Sequence, residues 1–395
     1  MSERVRVLVV DDSALMRKLI PNILARDPMI DVVGTAMDGA FALKKIEELR
    51  PDVVTLDLEM PRMDGMETLR LIMRNAPLPV VMVSTHSKEG AYATFKALAL
   101  GAIDFVAKPK EASSGHLDAI ATQLIEKIKV AKRATRGGIR SPAIAETLQP
   151  VKKNARSAAP PHRIIAIGVS TGGPNALQFV LSQIPADFPG SLLIVQHMPE
   201  GFTEMFARRL DECCALEVQE ARSGDLLLAG RALICPGNRH IMVRRMPRGD
   251  MAVLNDAPPV NGHRPSVDVL FHSISQEFGP MSVGVLMTGM GEDGAEGLGA
   301  IKAAGGVTVA QSEESCVVPG MPRAAILKGY ANRVVPLDAM GQHLMTHFGG
   351  DRAAEKASER AGRHEKFDRP EKNEREEKFE KNEKGEKIPA SNNRS

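Results

Sequence analysis

Two separate stretches of this 395-residue chain alternate short apolar strands with longer amphipathic helices, and this repetition constrains the fold more than any other feature. In the first stretch the strand candidates are "RVLVV", "VVTL", "PVVMVS" and "DFVAK", and helices are predicted over 14–25 and 117–134. In the second stretch they are "IIAIG", "SLLIVQ", "ALIC", "SVGVLMTG" and "GVTVA". Because such alternation is typical of parallel sheets covered by helices, we predict an α/β protein with two doubly wound parallel sheets.

The composition changes between the two stretches and again after the second. Residues 135–162, "TRGGIRSPAIAETLQPVKKNARSAAPPH", are rich in glycine, proline and alanine, which indicates a flexible linker. The segment "EKFDRPEKNEREEKFEKNEKGEK" near the end is almost entirely charged and predicts a disordered tail. Within the second stretch, "HIMVRRMPRGDMAVLND" alternates around a turn and predicts a hairpin insertion. We therefore divide the chain into a first domain (1–129), a linker (130–162), a second domain (163–349) and a tail (350–395).

The charge and the cysteines exclude several classes of protein. The net charge of +2 gives no strong bias toward nucleic acid, and no helix-turn-helix pattern follows the linker. The start "MSERVRVLVV" turns directly into a short strand, so we expect neither a signal peptide nor a membrane span there. The cysteines form no CxxC pair, which favours reduced, buried thiols in a cytoplasmic protein and no metal site. These residues are Cys213, Cys214, Cys235 and Cys316.

Carboxylates follow two strands of the first domain. Asp11 and Asp12 come directly after "RVLVV", the first strand, and Asp57 directly follows "VVTL", which is the third strand because one more precedes it. Because the carboxyl ends of parallel strands open into one crevice, these groups would repel each other unless a cation such as Mg²⁺ lay between them. Lys108 follows the fifth strand and Ser84 the fourth, so both could reach the same rim. The alternative is that the aspartates only cap helices and turns.

The stretch "IIAIGVSTGGPNAL" joins a strand to a helix through small residues, and it has two interpretations. Glycines in such a turn can cradle a phosphate, but neither GxGxxG nor GxxxxGK[ST] is present. The stretch does match GxSxG through Gly168, Ser170 and Gly172, the spacing of a nucleophile elbow. There the helix N-terminus would supply N–H groups for a developing oxyanion. The second interpretation makes Ser170 a candidate nucleophile.

A serine nucleophile needs a base and a group that orients the base. His197 directly follows the strand "SLLIVQ", and Asp293 lies in the glycine-rich segment after "SVGVLMTG". Alternatively, His197 is a buried structural histidine and Asp293 caps the helix that starts at Ala295. The order of an α/β-hydrolase, serine then acid then histidine, would instead require a later histidine. The candidates for that order are His240, His263 and His343.

The first domain resembles the receiver domain of two-component response regulators. The similarity rests on the Asp-Asp pair, "TLDLEMPRMDG", a hydroxyl residue after strand four and Lys-Pro after strand five. It implies a flavodoxin-like fold in which Asp57 accepts a phosphoryl group from a chemotaxis histidine kinase, with Mg²⁺ as cofactor. The further roles it implies are Mg²⁺ ligation by Asp12, Asp57 and the Glu59 carbonyl with support from Asp11, phosphoryl contacts by Ser84 and Lys108, and an aromatic switch at Phe105.

The second domain resembles the catalytic domain of bacterial chemotaxis protein-glutamate methylesterases, a Rossmann-like three-layer fold. The motifs that carry this similarity are "IGVSTGG", "QHMPEGFT", "CPGNRH", "HRPSVDVLF", "TGMGEDGAEG" and "QSEESCVVPGMPRAA". It implies a catalytic triad of Ser170 as nucleophile, His197 as base and Asp293 as its orienting acid. Thr171 and Met290 match positions near the family's active site, where the Met290 backbone N–H would donate to the oxyanion.

Together the two resemblances imply an enzyme of chemotaxis adaptation. It would hydrolyse methyl esters of receptor glutamates in the cytoplasm, deamidate receptor glutamines and be activated by phosphorylation. Its partners would be methyl-accepting chemotaxis receptors and a histidine kinase, with no nucleic acid and no cofactor in the second domain. Two other classes stay open: a catalytically idle second domain behind a phosphorylation-dependent binding module, and a transcriptional regulator.

Overall fold

The computed structural model describes residues 4–85, 87–108, 114–136 and 159–346. The first domain contains a five-stranded sheet in the order β2-β1-β3-β4-β5, and every neighbouring pair is parallel. Its strands are β1 (Val5–Val10), β2 (Ile30–Ala36), β3 (Val53–Asp57), β4 (Val80–Ser84) and β5 (Asp104–Ala107). Its helices are α1 (Met16–Leu24), α2 (Gly39–Leu49), α3 (Gly65–Asn75), α4 (Lys88–Ala99) and α5 (Ser114–Arg136).

The second domain contains a seven-stranded parallel sheet in the order β14-β13-β12-β6-β7-β9-β8, with a separate antiparallel hairpin of β10 and β11. The strands are β6 (Arg163–Val169), β7 (Gly190–Gln196), β8 (Glu217–Glu220), β9 (Arg231–Ile234), β10 (His240–Arg244), β11 (Met251–Asn255), β12 (Ser282–Leu286), β13 (Val307–Gln311) and β14 (Arg333–Val335). The helices are α6 (Gly173–Leu181), α7 (Phe202–Cys213), α8 (Val267–Phe278), α9 (Ala295–Ala303) and α10 (Gly320–Leu327).

The predicted fold class, two doubly wound parallel sheets with a hairpin insertion, is confirmed. Strand β7 shows why the apolar runs fold this way: all its residues are buried, because helices cover both faces of the sheet. The strands β8 and β14 are absent from the prediction, since "EVQE" and "RVV" are short, partly polar edge strands. Helix α5 continues to Arg136, beyond the predicted end of the first domain at 129. Residues 137–158 and 347–395 lie outside the described ranges, so the linker and the tail stay predictions.

The strand order places three loops of the second domain side by side. Strand β6 lies between β7 and β12, and the chain leaves β6 in one direction and returns on its other side. Such a reversal leaves a crevice at the carboxyl ends of the central strands, where parallel α/β folds bind their ligands. Ser170, His197 and Asp293 all follow these strands. No helix in the described ranges combines the length and apolar character needed to cross a bilayer.

Aromatic side chains join the two domains. The ring of Phe105, on β5, stacks on Phe202 at the start of α7, with centroids 4.8 Å apart. The ring of Phe95, on α4, packs against Phe206 of α7 at 5.1 Å. All four rings are buried. Helix α7 begins in the segment that follows His197, so a helix next to the crevice carries the contact with the first domain.

Candidate active site

Ser170 lies at the carboxyl end of β6, on a turn that only small residues can form. Its backbone N–H donates to the Thr288 carbonyl at 3.0 Å. Gly172 has a φ of +76°, and a Cβ at that position would approach the Val317 side chain to 2.7 Å. The next helix offers little to a phosphate, because the Gly173 N–H donates to the Ser170 carbonyl and Pro174 has no N–H. This geometry favours the elbow interpretation over a phosphate-binding loop.

His197 lies at the end of the adjacent strand. Val169 pairs with Gln196 in the β6–β7 register, so Ser170 and His197 are the next residues of two neighbouring strands. The His197 Nε2 lies 2.8 Å from Asp293 Oδ2, which places the ring proton on Nε2. Its Nδ1 is buried and has no hydrogen-bond partner within the part of the chain that the structure describes. Among the described residues no hydrogen bond joins Ser170 Oγ to His197, so Nδ1 is the nitrogen that remains available to accept a proton.

Asp293 is buried, and both oxygens of its carboxylate accept hydrogen bonds. Besides His197, its carboxylate accepts from Ser266 Oγ and the Val267 N–H, each at 2.7 Å. Burial alone would raise the pKa of this carboxyl, but the hydrogen bond and charge of His197, together with the Val267 and Ser266 donors, hold it well below its usual range. The structure contradicts the idea that Asp293 caps the helix starting at Ala295, because that helix has no side-chain cap. Instead, the carboxylate satisfies the first N–H groups of α8.

The three other histidines considered from the sequence lie in different surroundings. His240 is fully buried, accepts from the Ser266 N–H at 3.2 Å and hydrogen-bonds the Pro258 carbonyl at 3.1 Å. Both of its nitrogens are therefore engaged in holding the start of α8, which is a structural role. His263 instead stacks on His197, with ring centroids 3.9 Å apart. His343 lies beyond β14.

Thr171 and Met290 flank the serine. A Cβ on Gly289 would lie 2.9 Å from Ser170 Cβ, which places the Gly289–Met290 backbone directly against the serine side chain. The Met290 N–H makes no hydrogen bond to any described residue, and the Met290 side chain is partly exposed at the rim. Thr171 is buried, and its carbonyl accepts from Thr288 Oγ1 at 3.0 Å, which fixes the turn.

The first domain gathers its carboxylates as predicted. Ligand oxygens of Asp11, Asp12 and Asp57 all lie within 4.8 Å of one another. The Lys108 Nζ lies 3.0 Å from Asp11 Oδ2 and 2.8 Å from Asp57 Oδ2. Burial raises the pKa of Asp57 to about 6, helped by the Asp11 charge and opposed by Lys108. Burial would lower the pKa of Lys108, but the two carboxylates raise it. Asp11 and Asp57 are buried and Asp12 is exposed, so the site is a partly buried group of anions that a single ammonium only partly neutralises.

The remaining receiver residues surround this cluster. The Glu59 N–H donates to Asp57 Oδ1 at 3.4 Å, whereas its side chain accepts from Thr85 Oγ1. The Ser84 hydroxyl donates to the Gly90 carbonyl and accepts from Thr94 Oγ1, so in this structure it is engaged with α4. A phosphoryl contact by Ser84 would require this hydroxyl to turn, and that role stays a prediction. Phe105 faces α7, as described above.

Comparisons with known proteins agree on both domains. Two family models match: the response regulator receiver domain over residues 7–118 and the CheB methylesterase over residues 165–344. The protein-glutamate methylesterase/protein-glutamine glutaminase 2 of Koribacter versatilis is 63% identical, over 89% of this chain and 98% of its own length. A protein-glutamate methylesterase/protein-glutamine glutaminase of Symbiobacterium thermophilum is 46% identical, over 88% of this chain and 99% of its own. The crystal structure of the Thermotoga maritima CheB methylesterase catalytic domain is 36% identical, covers 46% of this chain and 97% of that chain, and gives a TM-score of 0.46.

The receiver domain with its carboxylate cluster, followed by an α/β domain with a crevice of its own, defines a response regulator with an α/β effector domain. The two relatives match along nearly their whole lengths, so the similarity extends across both domains. The chain belongs to the protein-glutamate methylesterase/protein-glutamine glutaminase family.

Proposed function

We propose that this chain is a phosphorylation-activated serine hydrolase that removes methyl esters from glutamate side chains of chemoreceptors and deamidates receptor glutamines. The names of its relatives give the two reactions. The observation that carries the residue assignment is the His197–Asp293 pair at 2.8 Å, next to a serine on an adjacent strand end. The substrates are methyl-accepting receptors, which the enzyme reaches from the cytoplasm.

In the proposed reaction, His197 acts as the base through Nδ1, because its Nε2 is hydrogen-bonded to Asp293. Ser170 Oγ attacks the ester carbonyl while its proton passes to His197 Nδ1, and Asp293 stabilises the imidazolium through Nε2–H. The C–O bond to the methoxy group then breaks, and the imidazolium returns its proton so that methanol leaves. Water repeats the attack on the acyl-enzyme and releases the glutamate carboxylate and the free serine. With a glutamine substrate the same steps release ammonia.

The backbone next to Ser170 supplies the oxyanion site. The Met290 N–H has no other hydrogen-bond partner among the described residues and lies on the loop that contacts the serine. A donor that is already oriented stabilises the negative charge that develops on the carbonyl oxygen. Thr171 follows the nucleophile on the same turn and fixes the turn through its carbonyl.

Asp57 is the residue that would accept the phosphoryl group, from a chemotaxis histidine kinase. Its Oδ2 and that of Asp11 are buried, and the polar partner that the structure shows for both is Lys108. This arrangement fits a hard cation with oxygen ligands, so Asp11, Asp12 and Asp57 would hold Mg²⁺, with Glu59 contributing its carbonyl. When bound, the ion would offset the negative charge of the incoming phosphoryl group. Lys108 would then pair with the phosphoryl oxygens.

Regulation follows from the contact between α4 and α7. Lys88 of α4 pairs with Glu204 of α7 at 2.9 Å, and Asn175 of α6 donates to the Leu98 carbonyl at 3.0 Å. Helix α4 of the receiver therefore touches the helices that follow both Ser170 and His197. In the unphosphorylated state this contact restrains and covers the crevice. A phosphoryl charge on Asp57 reorganises the α4–β5 face and releases it.

The test is release of methanol from receptor membranes with methylated glutamates, measured with and without a small phosphodonor. The full chain should release methanol faster with the phosphodonor. Ser170→Ala should show no release, and Asp57→Asn should keep a low rate that the phosphodonor leaves unchanged. Wild-type release by Ser170→Ala would refute the serine mechanism. If no methanol is released by the wild type under either condition, the second domain is an idle scaffold.

A further inference from the structure

The His197 ring has a second neighbour that none of the roles assigned above explains. His263 lies face to face with it, with centroids 3.9 Å apart and ring planes inclined by only 7°. The hydrogen bond from Nε2 to Asp293 fixes one edge of the His197 ring. One bond at one atom still allows the ring to tilt about it, and a tilt moves Nδ1, the atom that must accept the serine proton. A flat surface against the ring face removes that freedom.

His263 itself is held by a tight turn. Its backbone N–H donates to the Val260 carbonyl at 2.9 Å, and the Val260 N–H donates to the His263 carbonyl at 3.0 Å. The two residues between them, Asn261 and Gly262, have φ values of +53° and +77°, as a two-residue hairpin turn requires. A surface built on such a turn can keep a neighbouring ring in place.

The same turn also reaches the acid. Asn261 Nδ2 donates to Asp268 Oδ2 at 2.8 Å and to Asp293 Oδ1 at 3.3 Å. The turn from Val260 to His263 therefore contacts both members of the His197–Asp293 pair, one through a ring face and the other through an amide. This connection fixes the two groups relative to each other.

The charge state of His263 suits this position. Burial lowers its pKa to about 4, and the charge of His197 lowers it further against the opposing effect of Asp293. The ring is therefore neutral near pH 7, and it does not repel the imidazolium that forms on His197. It makes no hydrogen bond to any described residue, so it is not a proton relay.

We infer that His263 is a positioning residue, whose ring face holds the His197 imidazole in the plane that directs Nδ1 toward Ser170. This inference rests on the proposed serine mechanism and adds a further residue to it. It concerns shape: a flat side chain is required at 263, and an aliphatic one of similar bulk is not sufficient.

Two substitutions separate the flat face from mere bulk. In the full chain with a phosphodonor, His263→Phe keeps a flat ring, whereas His263→Leu fills the site without one. We expect His263→Leu to lower kcat for methanol release by about tenfold, because a misplaced base is costly, with KM for the methylated receptor unchanged. His263→Phe should stay within about threefold of wild type. Thermal unfolding of both variants and Ser170→Ala serve as controls.

Three outcomes would overturn the inference. The first is a wild-type kcat in His263→Leu while Ser170→Ala is inactive, and it would leave the serine mechanism intact. The second is an equal loss in the leucine and phenylalanine variants, since it would mean that flatness is not what matters. The third is a loss that disappears once activity is expressed per folded molecule. Full activity in Ser170→Ala would instead refute the proposed function and this inference with it.

Discussion

Replacing Asp293 by asparagine should nearly abolish activity for a reason that the hydrogen bonds show. Oδ2 accepts from His197 Nε2 and the Val267 N–H, while Oδ1 accepts from Ser266 Oγ. An amide has only one acceptor oxygen. If the new NH₂ takes the Oδ2 position, it faces the Val267 N–H and forces His197 to accept at Nε2. The His197 proton then moves to Nδ1, where it blocks transfer from Ser170.

The other amide orientation is also unproductive. With oxygen at the Oδ2 position, His197 keeps its tautomer, but the negative charge that stabilises the imidazolium is gone. Loss of the correct tautomer in a serine triad costs about 10⁴ in kcat, and loss of general-base catalysis costs about 10²–10⁴. We therefore expect kcat to fall by about 10²–10⁴, which corresponds to about 3–5 kcal/mol in the barrier. One buried donor without an acceptor should also lower the free energy of unfolding by about 1–3 kcal/mol.

The assay is methanol release by the phosphodonor-treated full chain, together with urea unfolding of each variant. The matched control is Asp256→Asn, the same chemical change at an exposed carboxylate that pairs with Arg239. The control should keep both its kcat and its stability, because exposed ion pairs contribute about 0–1 kcal/mol. A loss of less than tenfold in Asp293→Asn, with normal folding, would refute the proposed roles of His197 and Asp293.

Three further predictions concern the rest of the chain. The folded-state pKa of Asp57, about 6, lies above its usual value of 3.8, so metal-free protein should lose stability as the pH rises from about 4 to 6. In urea unfolding with EDTA, Asp57→Asn should be more stable than wild type at pH 7.5 by about 1–3 kcal/mol and equal to it near pH 4; an equal difference at both pH values would contradict this. Lys88→Glu should raise methanol release without phosphodonor by up to about fivefold, since it replaces an attraction to Glu204 by a repulsion. Adding Glu204→Lys to the same chain should restore the low rate. An unchanged rate in Lys88→Glu would show that this pair does not restrain the enzyme. The four cysteines are buried and form no disulfide, so a thiol reagent at neutral pH should modify none of them in the native protein and all of them in urea. Rapid modification of the native protein would be inconsistent with this burial.

The placement of the main candidates could be predicted from the sequence because it depends on local order. Ser170 and His197 each come directly after an apolar run, and side chains that leave adjacent parallel strands at their carboxyl ends share a crevice. The same reasoning correctly brought Asp11, Asp12 and Asp57 together. Apolar runs and the residues that end them are visible without any knowledge of tertiary packing.

The supporting groups could not be predicted, because they come from segments that meet only in the folded chain. Nothing in the sequence shows that Asp293 would receive Ser266 and the Val267 N–H rather than cap its own following helix. Nor does it show which nitrogen of His197 would bind the acid. His263 drew attention only as an alternative base, since ring stacking has no signature in residue spacing.

The contacts between the domains could not be predicted from the sequence either. Phe105 was identified through its resemblance to a switch residue, but its partner Phe202 could equally have filled the core of its own domain. Aromatic residues at helix starts look the same whether they face their own sheet or another domain. A structure is needed to tell the two apart.

Under the proposed regulation, the four packed phenylalanine rings set how much activity the unphosphorylated enzyme has. Complete exposure of one such ring costs about 2 kcal/mol, so separating α7 from α4 and β5 would cost about 4 kcal/mol if each of the four rings became half uncovered. At a factor of ten for every 1.4 kcal/mol, about one molecule in a thousand is then open without a signal. Under the proposed regulation, this apolar contact beside the crevice, and not the catalytic groups, sets the rate without a phosphoryl signal. Replacing one ring by a smaller side chain would therefore raise the demethylation rate of the unphosphorylated enzyme and shorten the lifetime of receptor methylation, although every catalytic group stays the same.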